Sequence, residues 1–263
     1  KTITEKLPTL YTDNQRGSRD LERLNISGFD YPKAVNYIQF LVSLFTDQTS
    51  LILDFFSGSA TTAHAVMQLN AEDGGKRKYI CVQLPEKTPK DSEARKAGYS
   101  TISEIGKKRI RRAGDEIRKE HPEVDTGFRV LRVDTSNMKE VYFEPATLEK
   151  DQLFADSVKK DRHDLDLLFG CMLDLGIELS APLRQKEVTG KRLHIVNEGA
   201  LVACFDMGID LEVIGSIASI QPQHVLFRES CFATDADKLN IYEQFKQRCG
   251  WSPEESSRRI HII

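Results

Sequence analysis

Two apolar segments of the sequence end in polar residues that could bind a ligand. Asp54 comes directly after the apolar residues 51–53, residues 57–62 read Ser-Gly-Ser-Ala-Thr-Thr, and Gln83 stands near the end of the apolar segment 78–84. Small side chains let a ligand approach the backbone, and a helix that starts there points N–H groups and its positive dipole end at the ligand. We call residues 54–62 the central turn, and this pattern predicts a ligand crevice at the carboxyl ends of parallel strands.

Missing motifs narrow the class of ligand. The sequence has no Gly-x-x-x-x-Gly-Lys-Ser/Thr, which argues against a nucleoside triphosphate, and no Gly-x-Gly-x-x-Gly, which argues against NAD or FAD. S-adenosylmethionine has no phosphate and presents an ammonium, a carboxylate, a ribose diol and an adenine. Asp54, the backbone of residues 57–62 and Gln83 fit a ligand of that kind.

A βαβ unit must position these groups. Apolar spacing predicts a helix over residues 34–45, a strand over 51–56 that is buried on both faces, a helix containing Ala63, Ala65, Val66 and Leu69, and a parallel strand over 78–84. Thr101 and Glu104 form a capping-box pattern that opens a helix to about residue 120. Residues 1–28 are expected to form an irregular arm, and residues 128–133 a third strand.

A second alternation follows a polar stretch at residues 134–161. Helices are predicted near 162–175, 210–219 and 235–248, and strands near 192–196, 200–205 and 224–228. We therefore expect an α/β fold in two domains, residues 1–149 with the central turn and residues 150–263 as a smaller α/β domain.

Composition excludes several classes of protein. The 263 residues carry a net charge of −3, so nucleic-acid binding would need a local basic patch. The five cysteines are widely spaced and odd in number, which predicts reduced thiols in a cytoplasmic protein and no metal site. No apolar run reaches membrane-spanning length, so no membrane association is expected.

Residues 54–64 resemble a known cofactor motif. They read Asp-Phe-Phe-Ser-Gly-Ser-Ala-Thr-Thr-Ala-His and are similar to the S-adenosylmethionine motif of amino-methylating DNA methyltransferases of the permuted β class. Residues 29–33, Phe-Asp-Tyr-Pro-Lys, resemble the neighbouring motif of that class, and we call them the flank segment. A closer resemblance, to the modification (Mod) subunit of type III restriction-modification systems, also includes residues 73–80, 103–110, 127–130, 136–137 and 235–240.

The resemblance implies a site-specific DNA methyltransferase that transfers a methyl group from S-adenosylmethionine to adenine N6. It implies part of a doubly wound, mainly parallel Rossmann-like sheet in the first domain. It assigns no catalytic and no metal-binding residue. The cofactor-binding residues that it implies are Phe29, Asp30, Lys33, Asp54, Phe55, Ser57, Gly58, Ser59, Thr61, Thr62 and Gln83.

Three positions depart from the family pattern. Ala60 replaces a glycine, which would cost about 1 kcal/mol if the position needs a positive φ. Ala34 follows Lys33 where proline is common. Gln83 stands where many relatives carry an acid for the ribose, and Glu86 is the alternative ribose contact.

Several implied contacts have a plainer interpretation. Phe29 and Phe55 either flank the adenine or belong to the core. Asp30 either binds the cofactor ammonium or caps the helix that begins near Pro32. Lys33 is either a cofactor contact or a solvated lysine.

A basic run provides the candidate DNA contacts on the helix after residue 101. Its residues are Lys107, Lys108, Arg109, Arg111 and Arg112. Such side chains bind phosphates when they share one face. The alternative is an ordinary solvated helix face.

The family's catalytic loop, Asp/Asn/Ser-Pro-Pro-aromatic, has no counterpart here, because the sequence contains no Pro-Pro pair. In the permuted order this loop precedes the cofactor motif, so the chain is expected to be the C-terminal portion of a longer subunit and inactive alone. The implied partners are double-stranded DNA, a second Mod subunit and the restriction (Res) subunit, with residues 150–263 as a candidate interface. The alternatives are a methyltransferase of another substrate class and a non-catalytic interaction module.

Overall fold

The computed structural model describes residues 16–139 and 157–263. The chain divides into two compact units, Lys1–Arg129 and Val130–Ile263, and both contain helices and strands. The α/β class is therefore confirmed. The predicted boundary between residues 149 and 150 lies outside the described residues and stays a prediction.

The first unit is built around a short parallel strand pair. Leu51 pairs with Lys78 and Asp54 with Cys81, as the βαβ prediction requires. Between the two strands the chain forms the central turn and one helix. Its elements are α1 (Gly17–Arg23), α2 (Val35–Phe45), β1 (Leu51–Asp54), α3 (Thr61–Asp73), β2 (Lys78–Cys81), α4 (Glu93–Lys96) and α5 (Ile102–Glu120).

Only one face of this strand pair is covered. Ile52 and Tyr79 pack against Val66 and Val42 from the flanking helices. On the opposite face Leu51 and Leu53 are 59% and 49% exposed, and Ile80 and Val82 are each 47% exposed. The expectation of a strand buried on both faces is therefore wrong for this chain, because no described residue shields that side.

Two other expectations fail for the described residues, whereas residues 1–15 of the predicted irregular arm lie outside them. Residues 128–133 form no strand, because Val130, Leu131 and Val133 are exposed and have no ladder partner. Part of the predicted irregular arm is helix α1, whose Leu21 packs in the core with Leu24 and Ile26. The i, i+3 spacing of Leu21 and Leu24 is the sequence feature that indicates this helix.

The second unit contains a five-stranded mixed sheet in the order β3-β4-β5-β6-β7. The first three strands are antiparallel neighbours, and the last two pairings are parallel. Its elements are α6 (Asp164–Asp174), β3 (Leu183–Val188), β4 (Lys191–Val196), β5 (Leu201–Cys204), α7 (Leu211–Ser219), β6 (Val225–Phe227), α8 (Asp235–Cys249), α9 (Pro253–Arg259) and β7 (Ile260–Ile262).

Apolar clusters cover both faces of this sheet. One contains Phe227 and Phe245, with Trp251 stacked on Phe245 at 5.4 Å between ring centroids. The other contains Leu168 of α6 and Leu226 of β6. Among the described residues, no helix combines the length and the apolar character that crossing a bilayer requires.

Candidate functional site

Asp54 stabilises the central turn from the carboxyl end of β1. Its Oδ1 accepts a hydrogen bond from the Phe56 N–H at 3.1 Å, and its Oδ2 accepts one from the Thr62 hydroxyl at 2.6 Å. Hydrogen bonds to an ionised carboxylate are about twice as strong as neutral ones. The carboxylate thus connects the end of the strand to the first turn of α3.

Gln83 closes the same turn from the end of the neighbouring strand. Its Oε1 accepts a hydrogen bond from the Gly58 N–H at 2.7 Å. The Val82 N–H donates to the Asp54 carbonyl at 2.8 Å, and the Ser57 N–H donates to the Val82 carbonyl at 3.1 Å. Asp54, the turn and Gln83 therefore lie together at one edge of the sheet, where the sequence predicted a crevice.

The backbone of the turn is left-handed at Gly58 and Ala60. Their φ angles are +51° and +61°, and α3 begins directly after Ala60. A Cβ in this conformation costs about 1 kcal/mol. Ala60, which departs from the family pattern, therefore has a strained backbone conformation. Its methyl group is buried, since the residue is only 1% exposed, and this packing holds the strained conformation.

The hydroxyl side chains at Ser59 and Thr61 face inward. These residues are 2% and 6% exposed, and both hydroxyls accept hydrogen bonds from Arg109. In this arrangement the two side chains connect the turn to the interior of the unit. The part of these positions that can face a ligand is their backbone, in line with the expected role of small residues.

The flank segment contacts the turn directly. A Cβ added at Gly58 would lie 3.1 Å from Cζ of Phe29, so the phenyl ring packs tightly against the turn at this position. The Thr61 hydroxyl lies 3.4 Å from the Lys33 carbonyl oxygen, to which it donates. Phe29 is half-buried against the core, whereas the Asp30 and Lys33 side chains are exposed.

Two of the plainer interpretations fail on this geometry. Asp30 does not cap α2, because the N-cap residue is Ala34, and Asp20 accepts the Val35 N–H at 2.8 Å instead. Phe55 is not a core residue of this chain, since it is 64% exposed. Its contact with adenine stays a prediction, as do the other ligand contacts.

The structure corrects the interpretation of Arg109. We expected it on a basic, solvent-facing surface, but it is completely buried on the inward face of α5. Its Nη1 donates to Thr61 Oγ1 at 2.6 Å and to Ser59 Oγ at 2.9 Å. Position 109 lies four residues after Ile105 and four before Ala113, both buried, so its place in the apolar stripe was the signal that could have shown this.

The other basic residues of α5 differ in their surroundings. Arg111 is exposed and its guanidinium lies 5.4 Å from the centroid of the Phe128 ring. Lys107 pairs with Glu104, and Arg112 donates to the Leu24 and Asn25 carbonyls at 2.7 and 2.6 Å. Lys108 is half-buried. The contact of Arg112 with the end of α1, like the role of Asp20, was not apparent from the sequence.

His64 should make the stability of the folded chain depend on pH. Burial, with the charges of Arg109 and Arg23, lowers its pKa from 6.5 to about 3. The unfolded chain protonates His64 below its ordinary pKa while the folded chain does not, so stability falls as the pH drops from there toward the folded pKa. Going from neutral pH to roughly pH 5, this residue should remove about 1–2 kcal/mol from the free energy of unfolding. Urea titrations of the wild type and His64→Gln at both pH values test this, and an identical pH dependence in the variant would contradict it.

Comparison with known proteins gives a family match for the segment that contains these residues. Residues 4–121, which include the flank segment, the central turn and Gln83, match the DNA methylase family. The StyLTI Mod subunit of Salmonella typhimurium (strain LT2) is 40% identical over 134 residues, or 48% of this chain and 21% of that protein. The EcoPI Mod subunit of Escherichia phage P1 is 36% identical over 174 residues, or 64% of this chain and 26% of that protein.

A third relative spans both units. The EcoP15I Mod subunit of Escherichia coli is 27% identical over 256 residues, which is 94% of this chain and 38% of that protein. The chain thus covers well under half the length of these relatives, all of which are Mod subunits of type III restriction-modification enzymes. The resemblance is confirmed: this chain is similar to the type III modification subunits, and its residues 4–121 match the model of the DNA methylase family.

Proposed function

We propose that this chain supplies the S-adenosylmethionine-binding part of a site-specific DNA methyltransferase that modifies adenine N6 in a type III restriction-modification system. The observation that carries the proposal is the central turn after β1, whose backbone Asp54 and Gln83 hold by hydrogen bonds, within the segment that matches the DNA methylases. We assign the strand pair to a doubly wound, mainly parallel sheet.

The proposed cofactor contacts follow from the groups that the turn presents. The Asp54 carboxylate suits the cofactor ammonium, and the backbone at the start of α3 suits its carboxylate. Phe29 and Phe55 offer rings for the adenine, while Gln83 and Glu86 are the two ribose candidates. S-adenosylmethionine supplies an activated methyl group, and these residues orient it and hold it in place.

The handling of the target base lies outside these contacts. A flipped adenine needs a rigid loop that holds its amine and an aromatic ring that stacks on it. The chain contains no Pro-Pro pair, so we propose that it does not methylate DNA alone. A second Mod subunit, a Res subunit and double-stranded DNA are the proposed partners of the intact protein, with residues 150–263 as a candidate interface.

Product analysis tests the proposed reaction. The intact protein is incubated with S-adenosylmethionine and either duplex DNA or RNA, and the nucleosides are then identified by mass spectrometry. We expect N6-methyladenine in DNA. Methylated RNA alone would support the alternative substrate class, and N4-methylcytosine would contradict the choice of base. No product together with no cofactor binding would favour a non-catalytic interaction module.

We also propose that Lys108 and Arg111 contact DNA phosphates. Both lie on α5, and Arg111 is exposed. Replacing both by glutamine should weaken DNA binding and reduce the slope of log K against log salt by about 0.9 for each phosphate that the variant no longer neutralises. Fluorescence anisotropy over a salt series measures this slope. An unchanged slope would assign the basic run to a solvated helix face.

A further inference from the structure

Helix α5 supports the central turn from the side opposite the proposed ligand. Gly106 lies against it so closely that a Cβ there would be 3.2 Å from the Gly58 carbonyl oxygen and 3.4 Å from Cβ of Ala60. Arg109, three residues later on the same helix face, reaches Ser59 and Thr61. The helix therefore contacts four successive positions of the turn.

Arg109 also connects the turn to the flank segment. The Thr61 hydroxyl accepts from Arg109 at 2.6 Å and in turn donates to the Lys33 carbonyl at 3.4 Å. The Arg109 Nε donates to Nδ1 of His64 at 3.4 Å. His64 serves as an acceptor because its lowered pKa keeps it neutral. One side chain thus joins both segments that the proposed cofactor site uses.

Burial of the Arg109 cation lowers the stability of the folded chain. Arg109 is completely buried, and among residues 16–139 and 157–263 its Nη2 has no hydrogen-bond partner. Burial lowers its pKa to about 10, so it stays charged at neutral pH. A buried charge whose donors are incompletely satisfied lowers stability, and an apolar residue would fill this position of the α5 stripe more favourably. A role in the site explains why a cation stands there.

We propose that Arg109 is a positioning residue for the cofactor site: it holds Ser59 and Thr61, and through Thr61 the Lys33 carbonyl, in the arrangement that presents the turn backbone to S-adenosylmethionine. This inference rests on the proposed function. It excludes direct phosphate contact by Arg109, and it assigns the two inward hydroxyls to the support of the turn.

Calorimetric titration of the intact protein with S-adenosylmethionine tests the proposal. Arg109→Met should weaken cofactor binding by about 10- to 100-fold, because without its two charge-assisted hydrogen bonds the turn adopts the binding arrangement in a smaller fraction of the molecules. DNA affinity without cofactor, and its salt slope, should stay within about twofold. The matched control is Arg118→Met, which removes an exposed arginine of the same helix, and it should bind cofactor like the wild type.

A mutant cycle separates positioning from a general loss of structure. Ser59→Ala combined with Thr61→Val should weaken the cofactor about as much as Arg109→Met, and adding Arg109→Met to this pair should have less than about a threefold further effect. Fully multiplicative effects, or folded Arg109→Met with wild-type cofactor affinity, would overturn the proposal. A changed salt slope would instead indicate DNA contact and overturn it as well.

Arg109→Lys keeps the proposal testable if Arg109→Met does not fold. Lysine retains the charge but lacks the planar fork, so cofactor affinity should fall about 3- to 10-fold in the wild-type background and not fall further in the Ser59→Ala, Thr61→Val background. Equal losses in both backgrounds would contradict the positioning role. If the wild type itself does not bind S-adenosylmethionine, the proposed function fails, which is distinguishable from failure of this inference.

Discussion

Replacing Asp54 by alanine is expected to lower the affinity for S-adenosylmethionine by about 100-fold, or about 3 kcal/mol. The change removes the two hydrogen bonds to Phe56 and Thr62 that define the turn, together with the proposed acceptor for the cofactor ammonium. Asp54→Asn keeps an acceptor without the charge, so its affinity should fall about 10-fold. Calorimetry on the intact protein measures both values.

The control for Asp54 is a carboxylate in the loop that precedes the same strand. Asp47 accepts hydrogen bonds from Thr49 and Ser50, which lowers its pKa, and it lies before β1. Asp47→Ala should therefore reduce stability slightly and leave cofactor affinity within about twofold. If both aspartate variants weaken the cofactor equally, Asp54 acts through general stability and its assignment to the site is wrong.

Replacing Phe227 by alanine is expected to destabilise the second unit by about 3–5 kcal/mol. Phe227 is completely buried in β6 and packs on Phe232 and Phe245, with centroids 5.7 and 6.3 Å away. The sequence has a single tryptophan, Trp251, which stacks on Phe245, so its fluorescence reports unfolding of this core during denaturant titration.

The same variant tests the division into domains. Leu239→Ala on the same unit is the control, because Leu239 is 69% exposed and its truncation should cost less than about 0.5 kcal/mol. If the cofactor site belongs to residues 1–149 alone, Phe227→Ala should bind S-adenosylmethionine like the wild type under conditions where the second unit stays folded. A destabilisation below about 1 kcal/mol, or a parallel fall in cofactor affinity, would contradict these expectations.

Apolar periodicity was sufficient to predict most elements. The predicted helix over 34–45 is α2, Val35–Phe45, and the helix that opens after Thr101 is α5. The predicted capping box does not form, because the Thr101 side chain makes no cap hydrogen bond and the Glu104 side chain pairs with Lys107. Strand β3 was missed since its residues are mostly exposed and polar, so no alternation marks it.

The part of the site that follows from the order of strands and turns could be predicted from the sequence. Asp54, the small residues after it and Gln83 come together because the carboxyl ends of two parallel strands share an edge. Arg109 was misassigned, because counting charges on a helix ignores which face each charge occupies. The inward orientation of Ser59 and Thr61 depends on that arginine, so no local pattern could have shown it.

Whether the central turn binds S-adenosylmethionine is the central question for this protein. Calorimetric titration of the intact protein with this cofactor, with ATP and NAD as competitors, measures that binding. We predict saturable binding of one cofactor per chain, no competition by either nucleotide, and an affinity reduced about 100-fold by Asp54→Ala. Absence of binding, or binding that Asp54→Ala leaves unchanged, would contradict the assignment of the cofactor site.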